Sequence, residues 1–283
     1  MAVTNFIPAV WSRALLENLH TSLVFGQPGV VNRDYEGEIA GAGSSVKINS
    51  IGAITVSDYT TNTDMSAPET LSSSQVVLNI DQQRSFSFQL DDVDNAQTQP
   101  KLMEAAMRES AYALAKDLDT YLAGLHASAG ITSGFGDNST PIVPTASTAY
   151  EYLADAYTAL DEADCPGDGR WVIVPPWFHG LLRKDDRFVS YGTQDNRGAL
   201  QNGMIGQAAG LNVLVSNNVV NTAGAKYKIM FGHSMAWTMA MQLEKVEAYR
   251  MELRFADAVK GLNVYGAKVV RSGILGTMTA DKA

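Results

Sequence analysis

"DDVDNAQTQPKLMEAAMRESAYALAKDLDTYLAGLHASAG", Asp91 to Gly130, holds the longest helical pattern in the chain. Met103, Met107, Ala111, Leu114, Leu118, Tyr121, Leu122 and Leu125 recur at the three- and four-residue steps that line one face of a helix. Asp94 or Asn95 supplies a capping side chain, and Pro100 fits only the first turn, where a missing N–H breaks no bond. The pattern predicts a helix from Gln97 to His126, on the order of 45 Å long at about 1.5 Å per residue. A rod of that length suits a spine and exceeds what a compact catalytic core needs. The cluster "SAGITSGFGDNSTP" then ends it and marks a boundary.

Upstream the period changes from helical to alternating. Val46 and Ile48 alternate with Lys47 and Asn49, and a second alternation runs through Val76, Leu78 and Ile80 and on through Phe86, Phe88 and Leu90. Between these β segments lies "TTNTDMSAPETLSSS", Thr60 to Ser74, too polar to hold a core. The reading is a long two-stranded arm with a polar tip, marginal alone and in need of support. Before it, Val10, Ala14 or Leu15, Leu19 and Leu23 recur at helical spacing, giving a terminal arm whose apolar face needs cover.

Downstream, a helix starting near Ser147 carries Tyr150, Leu153, Tyr157 and Leu160. A buried strand "RWVIVPP" and a short helix "WFHGLLRKDD" follow, as in an α/β unit. Near the C-terminus Tyr249, Met251, Leu253 and Phe255 alternate with Arg250, Glu252 and Arg254. This predicts one strand whose charged face makes cross-strand ion pairs.

Composition narrows the function. The 283 residues are 46% hydrophobic and 18% charged, enough for a real core. A net charge of −9 argues against a basic surface for phosphate backbones. The single cysteine, Cys165, has no partner in the chain and reads as a small turn residue in a reducing compartment. No secretory leader and no apolar run near the roughly 18 residues of a membrane span are expected.

No pattern carries chemistry. The four histidines, His20, His126, His179 and His233, are scattered, with no HExxH and no CxxC. Asp91, Asp92 and Asp94 open like a calcium loop but lack its glycine and final glutamate. No GxSxG elbow exists. In "NGMIGQAAGLNVLVSNNV", Asn202 to Val219, Gly203, Gly206 and Gly210 imitate a phosphate cradle. They precede the strand instead of following it, which leaves them as a structural turn.

Six stretches taken in order carry a resemblance. "NFIPAVWSRALLENLHTSLVFG" begins at Asn5, "GSSVKINSIGAITVSDYT" at Gly43 and "IDQQRSFSFQLDDVDNAQ" at Ile80. "GRWVIVPPWFHGLLRKDDRF" begins at Gly169, "GMIGQAAGLNVLVSNNV" at Gly203 and "GLNVYGAKVVR" at Gly261. Together they resemble the major capsid proteins of tailed bacteriophages with the Hong Kong 97 fold, in the branch grouped with the coat protein of short-tailed Salmonella phages.

The resemblance implies an α+β chain with an N-terminal arm (1–34) and an extended β-hairpin loop (35–90). A peripheral domain holding the spine helix (91–135) and an axial α/β domain (136–240) follow, and C-terminal strands (241–283) return to both. It implies a non-enzymatic subunit, without cofactor or metal, that forms hexamers and pentamers of an icosahedral shell around double-stranded DNA. An acidic subunit avoids adhering to the DNA it encloses. A separate scaffolding protein, a portal and decoration proteins are the implied partners, with assembly in the bacterial host cytoplasm and no membrane association. Leu16, Leu19, Thr60, Asp64, Arg250, Glu252 and Arg254 are the expected intersubunit contacts. The alternatives are an encapsulin-like compartment shell of the same fold, distinguished by protein cargo, and an α/β enzyme.

Overall fold

The computed structural model describes residues 23–36, 45–51, 73–91, 102–185, 206–252 and 255–282, with isolated positions at 56, 58, 61, 64 and 70. Strand β1 (Ser45–Ile51) pairs antiparallel with β2 (Ser73–Asn79), Val46 opposite Leu78 and Asn49 opposite Gln75. Strand β3 (Gln82–Asp91) follows almost at once but joins a different sheet. The alternation that runs from Val76 to Leu90 is thus two strands, divided at Ile80 and Asp81.

Helix α1 spans Leu102–Gly124 and tightens into a 3-10 turn at Leu125–Ser128. The expected capping residues Asp94 and Asn95 and the proline at Pro100 lie outside the described residues. Met107, Ala111, Leu114, Leu118 and Leu122 are buried, so the apolar stripe faces the core. Arg108, Glu109, Tyr112, Lys116 and Thr120 point to solvent.

A six-stranded sheet forms the second body. Helix α2 (Ala149–Glu162) leads to β4 (Arg170–Val174), and helix α3 (Pro176–Leu182) follows. Then come β5 (Gln207–Ala208), β6 (Leu211–Val215), β7 (Asn221–Thr222) and β8 (Lys226–His233). The order is β11-β8-β4-β6-β5, where β11 is Leu275–Asp281 and β7 pairs with β8 off this path. Among the described strands β4 and β6 alone pair in parallel, as a crossover through a helix requires. Every residue of β4 is buried because both sheet faces are covered. Val172 and Val174 pack with Leu153, Ala156 and Leu160 of α2, while Trp171 and Ile173 join the cluster built on α1.

Two long strands join the bodies. β9 (Trp237–Arg250) and β10 (Ala256–Val269) form an antiparallel hairpin, with β3 on the far edge of β10. Trp237, at the start of β9, stacks on Trp171 of the larger sheet at 5.7 Å and donates its indole N–H to Val30 O at 2.7 Å.

This hairpin corrects the expected single strand over Tyr249–Phe255. The strand stops at Arg250 and the next begins at Ala256, so Met251, Glu252 and Phe255 lie in the connection between them; Arg254 is outside the described residues. No glycine or proline marks that turn, and the alternation of apolar with charged residues runs on through it.

Candidate assembly surfaces

The β1–β2 ribbon buries one of its faces. Val46, Ile48, Leu78 and Ile80 are buried against Ala240 of β9 and Val264 of β10, which supplies the support that a two-stranded arm lacks alone. Gly266 permits this approach, since a Cβ there would lie 2.2 Å from Asn79 O. The opposite face presents Ser45, Lys47, Asn49, Gln75 and Asn79 to solvent, with Gln75 Nε2 donating to Asn49 Oδ1 at 3.0 Å. Beyond the ribbon, Val56 is 93% exposed and Asp64 is also exposed. Thr60, Leu16 and Leu19 lie outside the described residues.

The β9–β10 tip is the second uncovered surface. Phe255 is 80% exposed and Tyr249 42% exposed, beside an exposed Glu252. Charges flank these rings. Arg250 Nη1 meets Asp257 Oδ1 at 3.1 Å, and Lys260 Nζ meets Glu247 Oε2 at 3.1 Å while lying 5.2 Å from the centre of the Tyr249 ring. Lys245 also pairs with Glu247. Hydrogen bonds from Lys245 and Lys260 hold the Glu247 carboxyl below its ordinary range. The sequence pattern assigned Arg250, Glu252 and Phe255 alike to the faces of one strand; the exposure of Phe255 becomes visible only once the strand is seen to end.

The glycine-rich stretch forms a turn. Ala209 and Gly210 join β5 to β6, both at positive φ, and a Cβ on Gly210 would lie 2.7 Å from the Tyr157 ring. Gly206 directly precedes β5, and its carbonyl accepts from Val213 N at 3.1 Å; Gly203 is outside the described residues. Gly206 and Gly210 lead into the sheet, and among the described residues no helix N-terminus follows them to face a phosphate.

Three further chemistry-bearing groups are tied into the structure. Cys165 is buried and burial pushes its thiol pKa up, which disfavours the thiolate. Arg170, 2% exposed, meets Asp161 at 2.7 Å and donates to the carbonyls of Cys165 and Pro166 at 2.7 and 2.9 Å. His233 Nδ1 accepts from Met235 N at 3.1 Å. Among the described residues no group of three His, Cys, Asp or Glu is placed to hold a metal, and no helix is long and apolar enough to cross a membrane.

The chain is thus a mixed helix-and-sheet subunit that leaves large apolar side chains exposed at Val56 and at the β9–β10 tip. The family model described as phage capsid protein matches residues 74–274, and the chain belongs to that family. Solved structures agree. The chain is similar to a protein of Mycobacterium phage Che8 at 29% identity and TM-score 0.73, covering 98% of each chain. It shares the fold of the Cyanophage P-SCSP1u capsid at 16% identity and TM-score 0.66, covering 87% of this chain and 85% of that one. The capsid of Ralstonia phage GP4 follows at 14% identity and TM-score 0.60, with 89% and 86% covered. Among curated proteins none matches. The protein is a tailed-phage major capsid subunit, a structural protein and not an enzyme.

Proposed function

We propose that this subunit builds an icosahedral shell of hexamers and pentamers around double-stranded DNA, with the Hong Kong 97 division of labour. Residues 1–34 act as the N-terminal arm, 35–90 as the extended loop, 91–135 as the peripheral domain with its spine helix and 136–240 as the axial domain. Residues 241–283 return to both. The observation that carries this reading is the pair of uncovered ends, Val56 beyond the β1–β2 ribbon and Phe255 with Tyr249 on the β9–β10 tip. Exposed apolar side chains of this size gain cover when a neighbouring copy packs over them.

The intersubunit contacts in this reading are Leu16 and Leu19 of the arm, Thr60 and Asp64 of the loop, and Arg250, Glu252 and Arg254 of the tip. A separate scaffolding protein, a portal and decoration proteins complete the particle, which assembles in the bacterial host cytoplasm. The net charge of −9 keeps the shell from adhering to the DNA inside it.

Electron microscopy of the expressed protein, alone and with its scaffolding protein, tests the shell. Closed particles of uniform size with fivefold vertices are the expected result, and nuclease-protected DNA in particles from infected cells identifies the cargo. Dispersed monomers under every condition, or particles filled with protein cargo, overturn it.

A further inference from the structure

Asp119 sits in the last third of α1, is 1% exposed and carries a carboxylate at a place where local physics disfavours one. Burial imposes a desolvation cost on the charged group. The group is held by backbone donors from the far side of the sequence. Oδ2 accepts from Val24 N at 3.0 Å, and Oδ1 accepts from Phe25 N at 3.1 Å and Gly26 N at 3.4 Å. The Asn218 side chain, from the loop after β6, lies near enough to favour the charged form. Desolvation nevertheless keeps its pKa above the ordinary carboxyl value.

The surroundings are built for this contact. Ala115 and Ala123, one turn to either side of Asp119 on the same helix face, are both 1% exposed, and their small side chains leave room for main chain to lie against the helix. Leu23 and Phe25 are buried, with Phe25 edge-on to Trp237 at 6.5 Å. A turn follows immediately, as Val30 N and Val31 N both donate to Gln27 O. Apolar burial of Leu23 and Phe25 suffices to attach this segment, but it is non-directional. Three hydrogen bonds from backbone N–H groups to the two oxygens of one carboxylate fix its position and heading.

We propose that Asp119 is a positioning residue for shell assembly: its carboxylate clasps Val24, Phe25 and Gly26 and so sets the point and direction from which residues 1–22 depart to meet neighbouring subunits. This rests on the reading of those residues as an intersubunit arm. The clasp joins the base of the arm to the spine helix, so the arm's heading is referred to the rigid body of the subunit. Asparagine is the informative substitution, because its single carbonyl oxygen can serve Phe25 and Gly26 while its NH₂ group faces the Val24 N–H.

The test uses the full-length chain. Hydrogen exchange on dispersed wild-type subunits should show the amides of Val24, Phe25 and Gly26 protected like those of α1, and free exchange at all three overturns the clasp without any variant. In Asp119→Asn, Val24 N–H should exchange at least about tenfold faster, the factor that corresponds to about 1.4 kcal/mol. Thermal unfolding should stay cooperative, while the yield of closed, uniform shells falls and open or irregular products take their place. Wild-type yield and uniformity in Asp119→Asn overturn the proposal, as does loss of cooperative folding, which makes Asp119 a folding residue. Absence of shells from the wild-type chain run in parallel points instead to failure of the assembly reading itself.

Discussion

Tyr265 and Asp117 meet across 148 positions of chain, the phenol of β10 donating to Asp117 Oδ2 on α1 at 2.7 Å. Arg84 Nε, on β3, donates to the same oxygen at 2.8 Å, so one carboxylate pins the spine helix to two strands of the three-stranded sheet. The two bonds differ in worth. Tyr265 is 1% exposed, whereas the side chains of Arg84 and Asp117 are about half exposed to screening solvent. Tyr265→Phe should cost about 1–2 kcal/mol in urea denaturation, and Arg84→Ala distinctly less. Burial, followed by the bond to Asp117, raises the phenol pKa well above its usual value. Ultraviolet titration should therefore find Tyr265 neutral at pH values where exposed tyrosines ionise.

Arg170 closes the C-terminal end of α2. Its guanidinium serves the carbonyls of Cys165 and Pro166, pairs with Asp161 and lies 4.3 Å from the centre of the Tyr157 ring. Lysine keeps the charge but not the planar fork that reaches these acceptors together. Arg170→Lys should destabilise by about 1–2 kcal/mol and Arg170→Ala by about 3, since the alanine leaves buried acceptors unserved. The same site shields Cys165, which should alkylate slowly in native protein and at the rate of a free thiol in denaturant.

Ala223 holds φ at 56° in the turn joining β7 to β8 and is followed by Gly224 at 79°. Two successive left-handed residues are the hairpin geometry that favours Asn-Gly, and alanine bears a Cβ penalty there. Ala223 is exposed, so a larger side chain meets no packing constraint. Ala223→Asn should stabilise the subunit by about 0.5–1 kcal/mol, measured as a higher denaturation midpoint.

His179 on α3 gives a pH dependence of known sign. Burial first, then the neighbouring Arg183 charge, lower its folded pKa below the 6.5 of the unfolded chain. Between the two values the unfolded state binds more protons, so this contribution is present above pH 6.5 and is lost as pH falls through the folded value. Thermal unfolding from pH 7.5 down to pH 5 should show a decline that His179→Gln reduces.

Elements with strong periodicity were legible in the sequence because burial on one face imposes it: Met107 to Leu122 on α1, Val46 and Ile48 on β1, and the uninterrupted apolar run of β4. The end of α1 moved only from His126 to Gly124, and a 3-10 turn fills the difference. The β9–β10 tip was not legible, because apolar and charged residues keep alternating through a connection where neither is buried. Asp119 was hidden for the opposite reason. One acidic residue inside a helix reads as solvated, and its partners at Val24 to Gly26 are joined to it only by the tertiary fold.

Phe255 separates folding from assembly more sharply than any charged residue at the tip. It is 80% exposed, so Phe255→Ser should change subunit stability by no more than about 0.5 kcal/mol, the range of surface substitutions away from special features. In a shell contact the same ring is covered, and losing a buried phenylalanine removes roughly 1.5–3 kcal/mol at every repeat. Assembly magnifies that loss, because each subunit joins through several equivalent contacts. The variant should unfold like the wild type as a dispersed subunit, yet need a higher protein concentration to form shells, read by sedimentation across a concentration series. Glu252→Ala, which removes a charge at the tip and no apolar area, should shift that threshold less. Equal thresholds for wild type and Phe255→Ser would show that the β9–β10 tip stays in solvent in the assembled particle.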